Sequence, residues 1–332
     1  MRGLGDEDGV GLTVWKQVFR RLSPGGPRAR LAVLIFHRVL PAPDPLLPDE
    51  PDARWFETQM QWIARWFNVL PLPEALERLG RASLPERALS ITFDDGYADN
   101  YHVALEVLRR LGLTATFFVA TRFLHGGRMW NDTLIETVRA ANGPVLDLRA
   151  VGLGLHQVGS LEARRRTIGS LIGALRHRPA AERSATVGKI AERFPARPSD
   201  GLMMHEREVK ALHRSGMTVG AHTASHPILS MLPPEEARAE ILEGKSALED
   251  ILGERVTLFA YPNGKPGLDY GREHVAMVKE LGFRAAVSTA WGAARAGCDV
   301  HQIPRFTPWD RESWRYGFRL AHNLTRARYD TV

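Results

Sequence analysis

The stretch Ala88–Tyr97, ALSITFDDGY, constrains the chain more than any other. Leu89 to Phe93 form an apolar, β-branched run, which predicts a buried strand. Asp94 and Asp95 follow, then Gly96, then a helical pattern over Ala98–Leu111. A strand ending in acids, a glycine turn and a helix is a unit of a parallel α/β fold, where strand ends face the active site. Two carboxylates there cost free energy unless a cation or a donor holds them. The candidate partners downstream are His222 and His226.

Further strands are expected at Leu31–Phe36, Ala115–Val119, Met217–Ala221, Val256–Ala260, Phe283–Val287 and Gln302–Phe306, alternating with helices. That alternation predicts a parallel sheet or barrel. With 332 residues, 44% of them hydrophobic, the chain can bury a large core. Residues 126–199 break the pattern. They are polar, Arg-rich and read as mostly helical, so they are expected to be an insertion capping one mouth of a core formed by residues 31–125 and 200–320. Residues 1–30 form a basic N-terminal segment, of which 1–12 are expected to be unstructured. Val14–Leu22, VWKQVFRRL, is basic and amphipathic. It fits either peripheral contact with a membrane or packing on its own domain.

The net charge of +6 fits attraction to anionic surfaces or a solvated Arg-rich exterior. No basic run is interleaved with aromatics as nucleic-acid readout needs. The single Cys298 excludes an intrachain disulfide and a CxxC metal site. No signal-peptide pattern is read, and no run approaches the ~20 apolar residues of a membrane helix. The cytoplasm is the expected compartment.

His222 and His226 stand four apart in HTASH, a spacing that lets two imidazoles reach one metal ion. Two histidines and one carboxylate leave coordination positions open, which is the pattern of a catalytic site. The second carboxylate is then free to take a proton from water. One Asp could instead cap the following helix. The loop Tyr261-Pro262-Asn263-Gly264 is an ordinary turn, or one that aims a backbone N–H at an oxyanion. Asn131 and Asp132 are either helix caps or substrate contacts.

TFDDG, HTASH and YPNG, in that order, resemble the polysaccharide deacetylases of carbohydrate esterase family four. The similarity covers about Leu31 to Pro308. It implies an α/β fold, a distorted (β/α)7 barrel, here with a helical insertion. It implies hydrolysis of N-acetyl groups from an acetamido sugar in a polysaccharide, oligosaccharide or lipid-linked precursor. Asp94 would be the base, and Asp95, His222 and His226 the ligands of a divalent metal, Zn2+ first, with Co2+, Ni2+ or Mn2+ as alternatives. Thr223 and Ser225 would shape the ligand motif, and the Asn263 N–H would hold the oxyanion. Tyr97, Trp130, Asn131, Asp132, Tyr261 and Pro262 are the candidate substrate contacts.

Two positions depart from the family pattern. Ala260 stands where an arginine usually orients the base. Arg305 is expected to replace it, held by Asp310. The late leucine-x-histidine motif of the general acid is not evident. His37, ending the first strand as in the permuted exopolysaccharide branch, is expected to serve. The alternatives are an O-acetyl esterase, a non-sugar amidase, or an inactive carbohydrate-binding protein.

Overall fold

The structure, a computed structural model, describes residues 7–194, 201–326 and 328–332. Helix α1 (Glu7–Leu22) leads to strand β1 (Arg30–Phe36), α2 (Ala53–Trp66), the short β2 (Asn68–Val69), α3 (Leu72–Gly80) and the central β3 (Ala88–Phe93). A π-helical turn, Asn100–Ala104, runs into α4 (Leu105–Arg110), and β4 (Thr116–Val119) follows. Next come α5 (Trp130–Ala140), the hairpin β5 (Val145–Leu148) and β6 (Gly154–Gln157), α6 (Leu161–Arg176) and α7 (Ala180–Arg193). The strand-helix alternation resumes with α8 (Glu206–Arg214), β7 (Thr218–Ala221), α9 (Pro234–Leu252), β8 (Leu258–Ala260), α10 (Arg272–Glu280) and β9 (Ala285–Val287). The short β10 (Ala294–Arg295) and α11 (Ser313–Thr325) complete the order.

The main sheet runs β10-β1-β3-β4-β7-β8-β9, with β2 beside β3. All its pairings are parallel except β10 against β1. All six residues of β3 are buried, as a strand covered on both faces requires. This is the α/β architecture expected, with the parallel sheet curled into a barrel-like form. The expected strand Gln302–Phe306 is only an extended segment. Ile303 makes one parallel bridge to Val287, and the Phe306 N–H donates to the Val33 carbonyl at 2.9 Å. The segment thus spans from β9 to β1 and brings the sheet back towards its own start. The Arg305 side chain is wholly buried there, and regular pairing gives way around it.

One apolar core lies between sheet and helices, with Phe93 and Phe117 stacked at 4.8 Å. A second, including Leu31, Val33, Phe118 and Val287, lines the sheet's other face. A third joins α5, α6 and α7 to Leu46. Each large side chain so buried stabilises the fold by roughly 1.5–3 kcal/mol.

Several expectations need correction. Residues 7–12 belong to α1 rather than to an unstructured stretch, whose residues 1–6 lie outside the described residues. The apolar face of α1 packs inward: Phe19 is fully buried, and Trp15 packs at Trp66. The stretch 126–199 holds the hairpin as well as helices. Its Val-Leu-Asp-Leu alternation is too short to stand out between helices. The expected end at residue 199 lies outside the described residues. The helix over 98–111 opens as a π turn, in which buried Asn100 donates through Nδ2 to the His37 carbonyl at 2.9 Å. Among the described residues, no helix is long and apolar enough to cross a membrane.

Candidate active site

Parallel pairing gathers the C-terminal ends of β1, β3, β7 and β8 at one edge. At the end of β3 the chain turns sharply. Asp95 has φ +78° and Gly96 φ +91°. A Cβ on Gly96 would stand 3.0 Å from Val119 Cγ1, so glycine suits the turn on both counts.

The end of β7 answers it. One ligand atom from each of Asp95, His222 and His226 lies within 4.8 Å of the others. Asp95 Oδ1 stands 3.4 Å from His222 Nε2 and 3.3 Å from His226 Nε2. His222 Nδ1 donates to the Ala260 carbonyl at 2.7 Å, which turns Nε2 towards Asp95. Asp95 Oδ1 is buried with no hydrogen-bond partner. A buried, unpartnered carboxylate oxygen beside two imidazole nitrogens fits a divalent cation that takes nitrogen and oxygen donors. Burial pushes the His226 ring down to about 4, so it is neutral and able to ligate. Burial acts against the charge of Asp95 too, but the two histidines outweigh it and hold the carboxyl far below its usual range.

The loop carrying both histidines is strained and braced. Thr223 and His226 have φ +63° and +57°. Thr223 Oγ1 accepts the His226 N–H at 3.0 Å. Glu240 on α9 accepts the Ser225 N–H at 2.8 Å and its hydroxyl at 2.7 Å. At Gly244, one turn further on, a Cβ would lie 2.4 Å from the Thr223 carbonyl carbon. Glycine there lets α9 press against the loop.

Asp94 faces the other way. Its two oxygens accept from Arg305 Nη1 and Nη2, both at 2.6 Å. Arg305 Nε donates to the Ser288 carbonyl at 2.9 Å and Nη1 to Thr92 Oγ1 at 3.1 Å. Burial alone would raise the Asp94 carboxyl; Arg305 and His222 more than offset this and lower it. The position left empty by Ala260 is thus filled from the extended segment after β10. Asp310 does not hold Arg305, because it pairs with Arg319.

A cavity of about 310 Å³ opens over these groups. His37, Asn263, Tyr97, Trp130, Asn131 and Asp132 all line it. Asn263 has φ +55°, and its carbonyl accepts from Thr289 Oγ1 at 2.8 Å. Asp132 accepts from the Tyr97 hydroxyl at 3.1 Å. Burial raises its carboxyl to about 7, although the nearby Arg38 opposes this.

The sequence model of the polysaccharide deacetylase family matches residues 81–146 and 183–286, just over half of the chain. The chain belongs to the polysaccharide deacetylase family. The polysaccharide-deacetylase homologue YxkH of Bacillus subtilis (strain 168) is 22% identical over 279 residues, covering 83% of this chain and 71% of its own. The Streptococcus pyogenes deacetylase PplD in complex with acetate shares the fold, with a TM-score of 0.57 at 18% identity over 84% of this chain and 92% of its own. IcaB from Ammonifex degensii does likewise, with a TM-score of 0.56 at 21% identity over 89% of this chain and 98% of its own.

Two of this deacetylase's expected substrate contacts do not reach the cavity. Tyr261 is buried, stacks on Tyr270 at 3.8 Å and donates its hydroxyl to the His301 carbonyl at 3.1 Å. Pro262 is buried beside it and is also absent from the cavity wall. Aromatic packing under the loop, rather than substrate, holds this tyrosine. Other groups at the cavity are not evident from the sequence alone. Arg38 lines it and pairs with buried Asp99 at 2.8 Å, which fixes the chain next to His37. Glu50 lines it from a Pro-rich loop; desolvation raises its carboxyl while His37 opposes the shift. Arg183 lines it from α7, with its guanidinium 5.1 Å over the Trp130 ring. Asp99 lies four residues after Asp95, a spacing that could have marked it; Glu50 and Arg183 carry no local signal.

Proposed function

We propose that this family member is a metal-dependent hydrolase that removes N-acetyl groups from an acetamido-sugar glycan or its lipid-linked precursor, releasing acetate. The observation carrying this reading is the paired arrangement at the end of β3. Asp95 Oδ1 is unpartnered beside two histidines, while the neighbouring Asp94 is clamped in its charged form. A divalent ion held by Asp95, His222 and His226, Zn2+ before Co2+, Ni2+ or Mn2+, would polarise the acetyl carbonyl and lower the pKa of a water molecule.

The residues supply the remaining steps. Asp94, oriented by Arg305, takes the proton of the attacking water. The Asn263 N–H, presented by its left-handed turn, donates to the developing oxyanion. His37 gives a proton to the leaving amine, so that acetate and a free amino sugar separate. Trp130, Asn131, Asp132 and Tyr97 hold the sugar. The described part of the segment 126–199, residues 126–194, serves as a cap on the barrel formed by 31–125 and 201–320. The Arg305 clamp favours this reading over an inactive binding protein, because it supplies the guanidinium that Ala260 lacks.

The test is acetate release from N-acetylated and O-acetylated sugars by zinc-loaded protein and by Asp94→Asn. Release from the N-acetylated sugar by the wild type alone is expected. Preference for the O-acetyl sugar would make the protein an esterase. Release by neither, with one metal bound per chain, would favour a binding role.

A further inference from the structure

The exposed aromatic side chains are not scattered. Among the described residues, the exposed tryptophans and phenylalanines are Trp291, Trp309, Trp314 and Phe318, at 47, 56, 59 and 62% exposure. Trp291 and Trp309 meet around Phe306, with centroids 5.9 Å apart. Arg319 of α11 stacks 3.9 Å over Trp309, which ties this cluster to the helix. On α11, Trp314 and Phe318 are spaced to share one face. The opposite face, with Tyr316, Leu320 and Leu324, is buried in the core. Both sides of α11 are therefore apolar, and only one is covered.

Basic side chains outnumber acidic ones on this surface. Helix α11 carries Arg315, Arg319 and His322 and no acid. Arg315 stacks 5.1 Å from the Trp314 ring, and Arg326 5.5 Å from Trp291. Glu312 offsets Arg315 and Asp310 offsets Arg319. Helix α1 packs beside α11 with Trp15 seated at Gly317, where a Cβ would meet that ring at 2.4 Å. It adds exposed Lys16, Arg20 and Arg21, with no acid between residues 14 and 22.

We propose that the Trp291–Trp309–Trp314–Phe318 face docks the protein on an anionic phospholipid surface. Tryptophan rings favour the headgroup layer, where an apolar body and an N–H donor are both accommodated. Arginine and lysine around them meet lipid phosphates. Guanidinium groups stack on Trp314, Trp309 and Trp291, and their planar donors suit a partner that presents phosphates. The amphipathic segment Val14–Leu22 is not the anchor, since its aromatic face is consumed by the core; its cations contribute instead. The orientation has a consequence for the active site. Trp309 and Arg311 line a recess together with His37 and Glu50, and those two also line the catalytic cavity. The docked face thus begins at the cavity rim and holds the site close to the bilayer, where an acetamido sugar carried on a lipid would be presented.

The full chain would be sedimented with vesicles of phosphatidylcholine alone and of phosphatidylcholine mixed with phosphatidylglycerol. The wild type should bind the mixed vesicles, bind the neutral ones weakly, and release as salt rises. Trp314→Ser combined with Phe318→Ser should weaken binding by at least about tenfold. Arg315→Glu should weaken it with both rings intact. Both variants should keep the wild-type melting temperature and acetate release on soluble oligosaccharide. Asp94→Asn should bind vesicles as the wild type does, so failure here is separate from failure of the hydrolase reading. Equal sedimentation of wild type and ring variant, or no binding to the anionic vesicles, would overturn the proposal. So would a ring variant that loses affinity for soluble glycan, or that converts a dimer to a monomer, while vesicle binding is unchanged.

Discussion

Arg305 closes both terminal nitrogens on the two oxygens of Asp94, each at 2.6 Å, across 211 residues of sequence. The two side chains are wholly or almost wholly buried. A pair like this orients a carboxylate more than it stabilises a fold, but removing one partner leaves a buried charge uncompensated. Arg305→Met is expected to lower stability by about 3–5 kcal/mol. Arg305→Lys should retain more stability, because it keeps the charge, yet lose the two-pronged grip. Acetate release should fall in both, and denaturant unfolding beside activity would show it. An Arg305→Lys protein with the wild-type rate would break the link between the clamp and catalysis.

Gly244→Ala offers a test of the brace behind the histidines. In most helices this change adds about 0.5–1 kcal/mol of stability. Here the new methyl would meet the Thr223 backbone at 2.4 Å. Stability should drop by about 1–3 kcal/mol, and metal affinity should drop with it. Glu240→Ala removes the acceptor for Ser225 without overpacking. It should weaken metal binding by about 10–100-fold. Isothermal titration with zinc reads both; unchanged affinity in both variants would show that the loop holds its shape unaided.

Asp132 should make stability depend on pH. Burial raises its folded pKa to about 7, well above the ordinary carboxylate value in the unfolded chain. Between about pH 4 and 7 the folded state therefore keeps a proton that the unfolded state has lost. Its contribution to stability is full at the acid end and is lost as pH rises through 7. Asp132→Asn should remove that slope and gain on the wild type most at pH 8. Melting temperatures of the two proteins across this range provide the check, and parallel curves would contradict it.

Tyr261→Phe separates strut from contact. The change removes one hydrogen bond, to the His301 carbonyl, at a cost of about 0.5–1.5 kcal/mol. The Michaelis constant should not move, since the ring does not line the cavity. A several-fold rise in it, with stability unchanged, would return Tyr261 to the substrate site.

The parts of this site legible in the sequence are those written into single strand ends. The continuous apolar run before Asp94 and Asp95 marks a buried strand, and HTASH offers two ligands within one turn. Their meeting follows from parallel pairing, which puts the C-terminal ends of β3 and β7 at one edge. Arg305 was readable as a partner for Asp94 because it ends the last extended segment. The partner of Asp310 is not legible in the sequence, since whether it meets Arg305 or Arg319 depends on side-chain direction. Glu240 and Gly244 were invisible, because on a long helix neither breaks the pattern and their purpose lies in the loop they touch. Tyr261 misleads for the opposite reason: a tyrosine in a loop motif looks exposed, while stacking on Tyr270 turns it inward.

The most direct test of the central claim compares acetate release from N-acetylglucosamine oligomers by zinc-loaded wild type and Asp94→Asn. The substitution keeps the ligands Asp95, His222 and His226 but leaves Arg305 without its counter-charge, so folding is checked by denaturant unfolding and zinc content, expected at one per chain, is measured beside the loss of the proton acceptor. Acetate from the wild type, with a drop of at least about 10²-fold in the variant, is the predicted result. Equal release by the two proteins would contradict the assignment of Asp94 as the base and, with it, the account of the β3 end as the catalytic centre.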